Sequence, residues 1–286
     1  FVYVILCCLL LWGVLSYFSN TFHVTRQNAD KIFIYSAALL LCMMLFNFGQ
    51  INIIVLGLAT LVIILLERGK NLTAGVVLPL VLLKPHLLIV FVVACLVKGG
   101  KRTFIGAAIS SLVMFGIEFL LDPNWLNNLL KLFAYGSRRT EKLYWGHTTL
   151  PRLLGFQENY VGTANIPVIA LMILLGVLLI WKFRNLPPSQ LIAFSLTASL
   201  FSAPRAFGYD LILLFPAMLL LSENFNWKTI LCWLLAVSIA FAYNFSTGVY
   251  ILTLLVFGLS IWKLQLEAAY YQDMVAVQSS AQHNLL

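Results

Sequence analysis

The sequence predicts an all-α, polytopic integral membrane protein. About nine crossings are expected, with one re-entrant pair of half-helices, since a spanning helix needs about 20 apolar residues. Three observations carry this. Of 286 residues, 62% are hydrophobic and 10% are charged, with a mean hydropathy of +0.95. Soluble domains average about 45–50% apolar and about 25% charged. Long uncharged runs alternate with short polar turns throughout the chain. Finally, 11 of the 18 Lys and Arg fall in turns or helix ends that a simple alternation of crossings puts on one side. That bias marks the cytoplasmic face. It also explains the net charge of +8 without a nucleic-acid partner.

Crossings are expected at 1–18, 32–49, 51–66, 103–121, 166–184, 189–203, 209–222, 227–244 and 248–263. The runs at 51–66, 189–203 and 209–222 are short. They must extend into their flanks, thin the bilayer or be buried by neighbours. Residues 1–263 form the membrane domain, and 264–286 are a polar cytoplasmic tail. The chain opens on Phe1 inside an apolar run, which suggests a cleaved signal peptide or an N-terminal truncation. The five cysteines lie in apolar segments without metal-ligand spacing and read as small core hydrophobes. Two glycosylation sequons, at Asn71 and Asn244, fall in the cytoplasm and almost at the membrane, and are discounted.

The first hairpin turns on Asn47-Phe48-Gly49-Gln50-Ile51-Asn52, three amides in six residues between uncharged runs. An unsatisfied amide in an apolar medium costs several kcal/mol. These amides serve either as glue between helices or as a polar floor for a ligand.

The segment from Lys70 to Lys98 is apolar, but Lys84-Pro85-His86 interrupts it. Arg68 and Lys70 precede it, and Lys98, Lys101 and Arg102 follow. With both clusters on one side, the segment enters and returns as half-helices 72–83 and 87–97. Each reaches roughly 16–20 Å at 1.5 Å per residue. Pro85 suits the break, because it lacks an N–H and disfavours helix at the preceding residue.

An outer loop spans 122–165. Asp122 as N-cap, Pro123 at the first helical position and Gly136 as the stop predict a helix. Trp125, Leu126, Leu129, Leu130 and Phe133 share one face, which suits a helix lying on the bilayer. It serves either as a cap or as a guide for a lipid.

Four polar groups converge on the outer face in this topology. They are Asn47, Gln50 and Asn52; Lys84 and His86; the break at 202–210 with Arg205, Tyr209 and Asp210; and the loop stretch around His147. Lys84 lies too far from either end of its segment to snorkel easily, so it faces a cavity or a partner. Arg205 and Asp210 form a mutual surface salt bridge, or Arg205 uses its planar fork to bind an anionic group such as phosphate. Glu118 near its helix end reads more simply as an interfacial carboxylate. No Walker loop, dinucleotide fingerprint, zincin motif or nucleophile elbow occurs, and no residue is assigned to a metal. A cationic cavity in a membrane suits a lipid-linked anion.

Taken in order, these residues resemble the GT-C superfamily, and within it glycosyltransferase family 87. The resemblance rests on the Asn-x-Gly-Gln-x-Asn hairpin (Asn47, Gly49, Gln50, Asn52), then Lys84 with Pro85, then the basic turn from Lys98 to Arg102. The Arg152-Leu153-Leu154-Gly155 stretch and the Ser202-x-Pro204 turn before Tyr209 complete it. It implies a GT-C-like bundle in the plasma (inner) membrane of a bacterium. The donor would be a polyprenyl-phosphate sugar, whose hexose, often mannose, passes with inversion to a lipid or glycan hydroxyl on the extracytoplasmic face. Partners are then membrane lipid, donor and acceptor, with no cofactor. Lys84 and Arg205 would neutralise charge on the departing phosphate. Gln50 and Asn52 would hold sugar hydroxyls, while His147 and Tyr209 would position acceptor or phosphate.

This chain departs from the family in one respect. GT-C enzymes place a catalytic carboxylate in the first outer loop, and this chain begins outside without one; Asp30 falls on the wrong face. The general base that should take the acceptor proton is therefore expected to be missing from these 286 residues, as in an N-terminally truncated or inactive relative. Asp210 is a geometric substitute, but a pairing with Arg205 would lower its pKa and weaken it as a base. A lipid-linked substrate transporter or flippase, or a non-catalytic cell-envelope subunit, are the rival functions. Paired half-helices meeting at a polar break are a transporter device.

Overall fold

The computed structural model describes residues 2–22, 51–83, 88–128, 130–131, 165–203, 208–222 and 253–270. Every regular element among them is helical. The expected crossings at 32–49 and 227–244 lie outside these residues.

Helix α1 (Val2–Thr21) and helix α2 (Asn52–Glu67) run parallel. Leu10 packs on Gly57, and Tyr17 donates a hydrogen bond to Glu67 at their C-terminal ends. Helix α3 (Asn71–Val81) follows a tight turn at Gly69, whose φ of +68° only glycine adopts freely.

Helix α4 (Ile89–Leu121) is the one described helical run long and apolar enough to cross a membrane. It is two limbs, because Gly100 sits at φ +60° and ψ −152° and reverses the chain. The first limb, 89–99, and α3 are the expected half-helices, shifted by a residue or two. The second limb, 101–121, runs parallel to α3: Thr103 Oγ1 donates to the Asn71 carbonyl at 3.0 Å, and Gly106 lies against Leu72 and Val76. The two basic turns expected on one side are therefore neighbours.

Helix α5 (Asn165–Lys182) and helix α6 (Pro188–Ser202) form a hairpin closed by Lys98, whose Nζ donates to the carbonyls of Arg184 (2.6 Å) and Leu186. The cation also suits the negative end of α5. Helix α6 is buried from Leu191 to Ser202 on every side. The shortness of its apolar run is thus resolved by burial among neighbours. The expected straight crossing at 209–222 is instead a 3-10 segment (Gly208–Leu214) followed by helix α7 (Phe215–Ser222). Pro216 has no N–H to continue an α ladder, so the α-helix starts afresh around it.

Helix α8 (253–270) packs antiparallel to α6. Phe257 stacks on Phe194 and Phe201 with centroids 5.5 and 4.5 Å apart, and Glu267 accepts from Gln190 at 2.6 Å. The sequence ends this helix at 263. Its continuation to 270 is stabilised by a Lys263–Glu267 pair one turn apart, at 3.0 Å.

The bundle consequently has two chemically distinct ends. Arg68, Lys70, Lys98, Lys101, Arg102, Lys182 and Arg184 lie at the basic end, fixed by the contacts above. The N-terminus of α2, the start of α4 and the C-terminus of α6 lie at the opposite end. Between them the surface is apolar: Leu112, Leu120 and Leu121 in α4 and Leu171 in α5 are each more than 60% exposed. A water-soluble monomer seldom leaves so much apolar surface uncovered.

Candidate functional site at the end opposite the basic turns

Asn52 opens α2, and Asp210 lies in the 3-10 segment after α6. Asn52 Nδ2 donates to Asp210 Oδ1 at 2.5 Å, across 158 residues of sequence. Asn52 is 1% exposed and Asp210 is fully buried. The contact joins two of the four polar groups that the sequence singles out: the amide hairpin and the Ser-x-Pro break. It gives a buried acidic side chain the hydrogen-bond partner that a polar group away from water requires.

A second contact ties the re-entrant pair to the same end. Ser199 Oγ accepts the Phe91 N–H at 2.8 Å, and both residues are buried. The first turn of α4 has no side-chain cap of its own, so a serine from α6 satisfies one of its orphan donors. Ser202 hydrogen-bonds back to the carbonyls of Ala198 and Ser199, relieving the last turn of α6. Ser199→Ala is expected to lower unfolding stability by about 1 kcal/mol, the usual loss of a helix cap. Thermal unfolding of the detergent-solubilised protein measures it. A change indistinguishable from zero would mean that the buried amide finds another acceptor.

Asn47, Gln50, Lys84, His86, His147 and Arg205 lie outside the described residues. Tyr209 is placed by its backbone beside Asp210 in the 3-10 segment. The described neighbours of these residues nonetheless share one end. Ile51 and Asn52 border the hairpin, Leu88 borders 84–87, and Ala203 and Gly208 border 204–207. The chain enters or leaves each segment beside the Asn52–Asp210 and Ser199–Phe91 contacts. Asp122, at the start of the long loop, caps the next turn as expected. Its Oδ1 accepts the Asn124 N–H at 2.9 Å and its Oδ2 accepts Asn128 Nδ2 at 2.8 Å. Trp125 stacks on Phe115, while Leu126 and Leu130 are exposed. Ser199 is the residue that the sequence did not single out. It sits among five buried Ser and Thr of α6, and that density of hydroxyls in an apolar run was the signal available.

Among the described residues no group of His, Cys, Asp and Glu could hold a metal ion. Residues 1–216 match the profile of glycosyltransferase family 87, well over half of the chain. This chain belongs to glycosyltransferase family 87. The match takes in the amide hairpin, the Lys84-Pro85-His86 break and the Asp210 segment. It ends at Pro216, in the first turn of α7. A family-87 glycosyltransferase is a membrane transferase, which agrees with the apolar girdle. No curated protein and no solved structure matches the chain.

Proposed function

We propose that this family-87 chain is a multi-pass inner-membrane enzyme of a bacterium. It would move a hexose, with mannose the first candidate, from a polyprenyl-phosphate donor to a lipid or glycan hydroxyl on the extracytoplasmic face. The observation that carries this is the Asn52–Asp210 contact, which draws the amide hairpin and the Ser-x-Pro break together at the end away from the basic turns. The parallel α1 and α2, and the parallel α3 and second limb of α4, support the parity of about nine crossings plus a re-entrant pair.

The chemistry follows from the leaving group. The acceptor oxygen attacks the anomeric carbon, the bond from that carbon to the phosphate oxygen breaks, and the configuration inverts. The acceptor proton passes to a base, and the phosphate leaves with one added negative charge. Lys84 and Arg205 neutralise that charge. Asn47, Gln50 and His86 bind the sugar, and His147 and Tyr209 position acceptor or phosphate. Asn52 gives its amide to Asp210 and is buried, so it positions the site rather than touching the sugar.

The test uses the full chain in proteoliposomes with total membrane lipid as acceptor pool. Radiolabelled polyprenyl-phosphate mannose should yield a labelled lipid or glycan product of inverted configuration, and a sugar nucleotide should yield none. Labelled product from the sugar nucleotide alone would overturn the donor class. Movement of the donor lipid across the bilayer without transfer would establish the flippase instead.

A further inference from the structure

The basic end carries a cluster of cations that transfer chemistry at the other end does not use. The turn at 68–70 abuts the turn at 100–102. Thr103 Oγ1 reaches the Asn71 carbonyl at 3.0 Å, and a Cβ on Gly99 would meet the Leu66 side chain. Arg68, Lys70, Lys101 and Arg102 therefore stand close together, and all four are exposed. Among the described residues none of the four is in a salt bridge. Glu67 is the one carboxylate in these two turns, and it accepts a hydrogen bond from Tyr17. Lys98 points elsewhere, held by the carbonyls of Arg184 and Leu186.

Apolar surface begins directly beyond the cations. Leu72 and Val76 on α3 are 50% and 43% exposed, and Phe104 and Ile105 on α4 are 62% and 49% exposed. Unbalanced positive charge meeting an apolar wall is complementary to one amphiphile: an anionic headgroup carrying hydrocarbon chains. Arg102 offers a planar fork for phosphate oxygens, and Lys70 and Lys101 offer mobile point charges. We infer that the paired turns at 68–70 and 100–102 bind the headgroup of an anionic phospholipid, with its chains along Leu72, Val76, Phe104 and Ile105. A bound lipid would clamp the roots of α3 and α4, between which the Lys84-Pro85-His86 segment is hung.

The experiment places the full chain in bilayer discs of mixed phosphatidylglycerol and phosphatidylcholine and weighs the lipids that remain attached by native mass spectrometry. The parent protein should retain phosphatidylglycerol in preference to phosphatidylcholine. Lys70→Gln, Lys101→Gln and Arg102→Gln should each reduce that preference about fivefold, the usual effect of one cation near an anionic bilayer surface. Raising salt should erode it in the parent as well. Unfolding midpoints in phosphatidylcholine alone, equal among all four proteins, show that the variants fold. The salt series on the parent decides the matter for any variant that does not. Equal retention of the two lipids, or a preference that survives both the substitutions and salt, overturns the proposal. So does displacement of the lipid by millimolar inorganic phosphate, which would mark a plain anion site.

Discussion

Asp210→Ala is expected to lower sugar transfer on the order of a hundredfold, the scale of loss when a site is misplaced by about 1 Å. Asp210→Asn should stay within about tenfold of the parent, because a neutral acceptor keeps part of the bond. The difference follows from the contact itself. Asp210 Oδ1 accepts from Asn52 Nδ2 in a buried setting. Alanine removes that acceptor from a buried amide, at a cost of about 1–3 kcal/mol. Its loss also loosens the tie between the Ser-x-Pro break and the amide hairpin, and Arg205 lies in that break. Asparagine keeps one acceptor oxygen while giving up the charge and turning the other oxygen into an NH2 donor. A double cycle with Asn52→Ala, read in both unfolding free energy and kcat/KM, should show coupling of about 1–3 kcal/mol, as contacting residues do. If Asp210→Asn loses as much transfer as alanine while its unfolding is unchanged, the carboxylate charge is required. Asp210 is then the base or a counter-ion.

The parts of this fold legible in the sequence were those written in local pattern. Pro85 inside an apolar run predicts the break after α3, and the charges flanking that run predict a return to the same side. Asp122 followed by Pro123 predicts the cap that Asn124 and Asn128 complete. What escaped was long-range. The Asn52–Asp210 and Ser199–Phe91 contacts join residues 158 and 108 positions apart, and no periodicity encodes such a pairing. The short run at 189–203 left bilayer thinning and burial equally open. Packing of α2, α4, α5 and α8 around α6 decides it. The 3-10 opening of 208–214 was hidden because its Leu and Ile residues give the same apolar signal in either helix type. Both residue types of the candidate contact, an amide and a carboxylate inside apolar runs, were legible as functional or structural necessities. Their partnership was not.

Gly75→Ala and Gly106→Ala are each expected to destabilise the protein by about 3 kcal/mol, the upper end of ordinary overpacking. At Gly75 a Cβ would collide with the Thr103 carbonyl and lie 2.9 Å from the Ala107 nitrogen. At Gly106 it would collide with the Leu72 carbonyl and lie 3.0 Å from the Val76 nitrogen. These obstacles are backbone atoms, so no rotamer change relieves them. The two helices must separate, and dispersion contacts weaken steeply with sub-ångström gaps. The separation would also stretch the Thr103–Asn71 bond and tilt α3, which leads directly into the Lys84-Pro85-His86 segment. Transfer should therefore fall together with stability. Gly116→Ala is the control on the same limb, where a Cβ meets nothing within 4 Å. There the substitution should stabilise by up to about 1 kcal/mol, because alanine is the better helix former. Unfolding in detergent separates the cases. Equal effects at Gly75, Gly106 and Gly116 would mean that the close crossing of α3 and α4 does not hold the two limbs together. Opposite signs, with loss of transfer confined to the first two, would show that the site depends on that crossing.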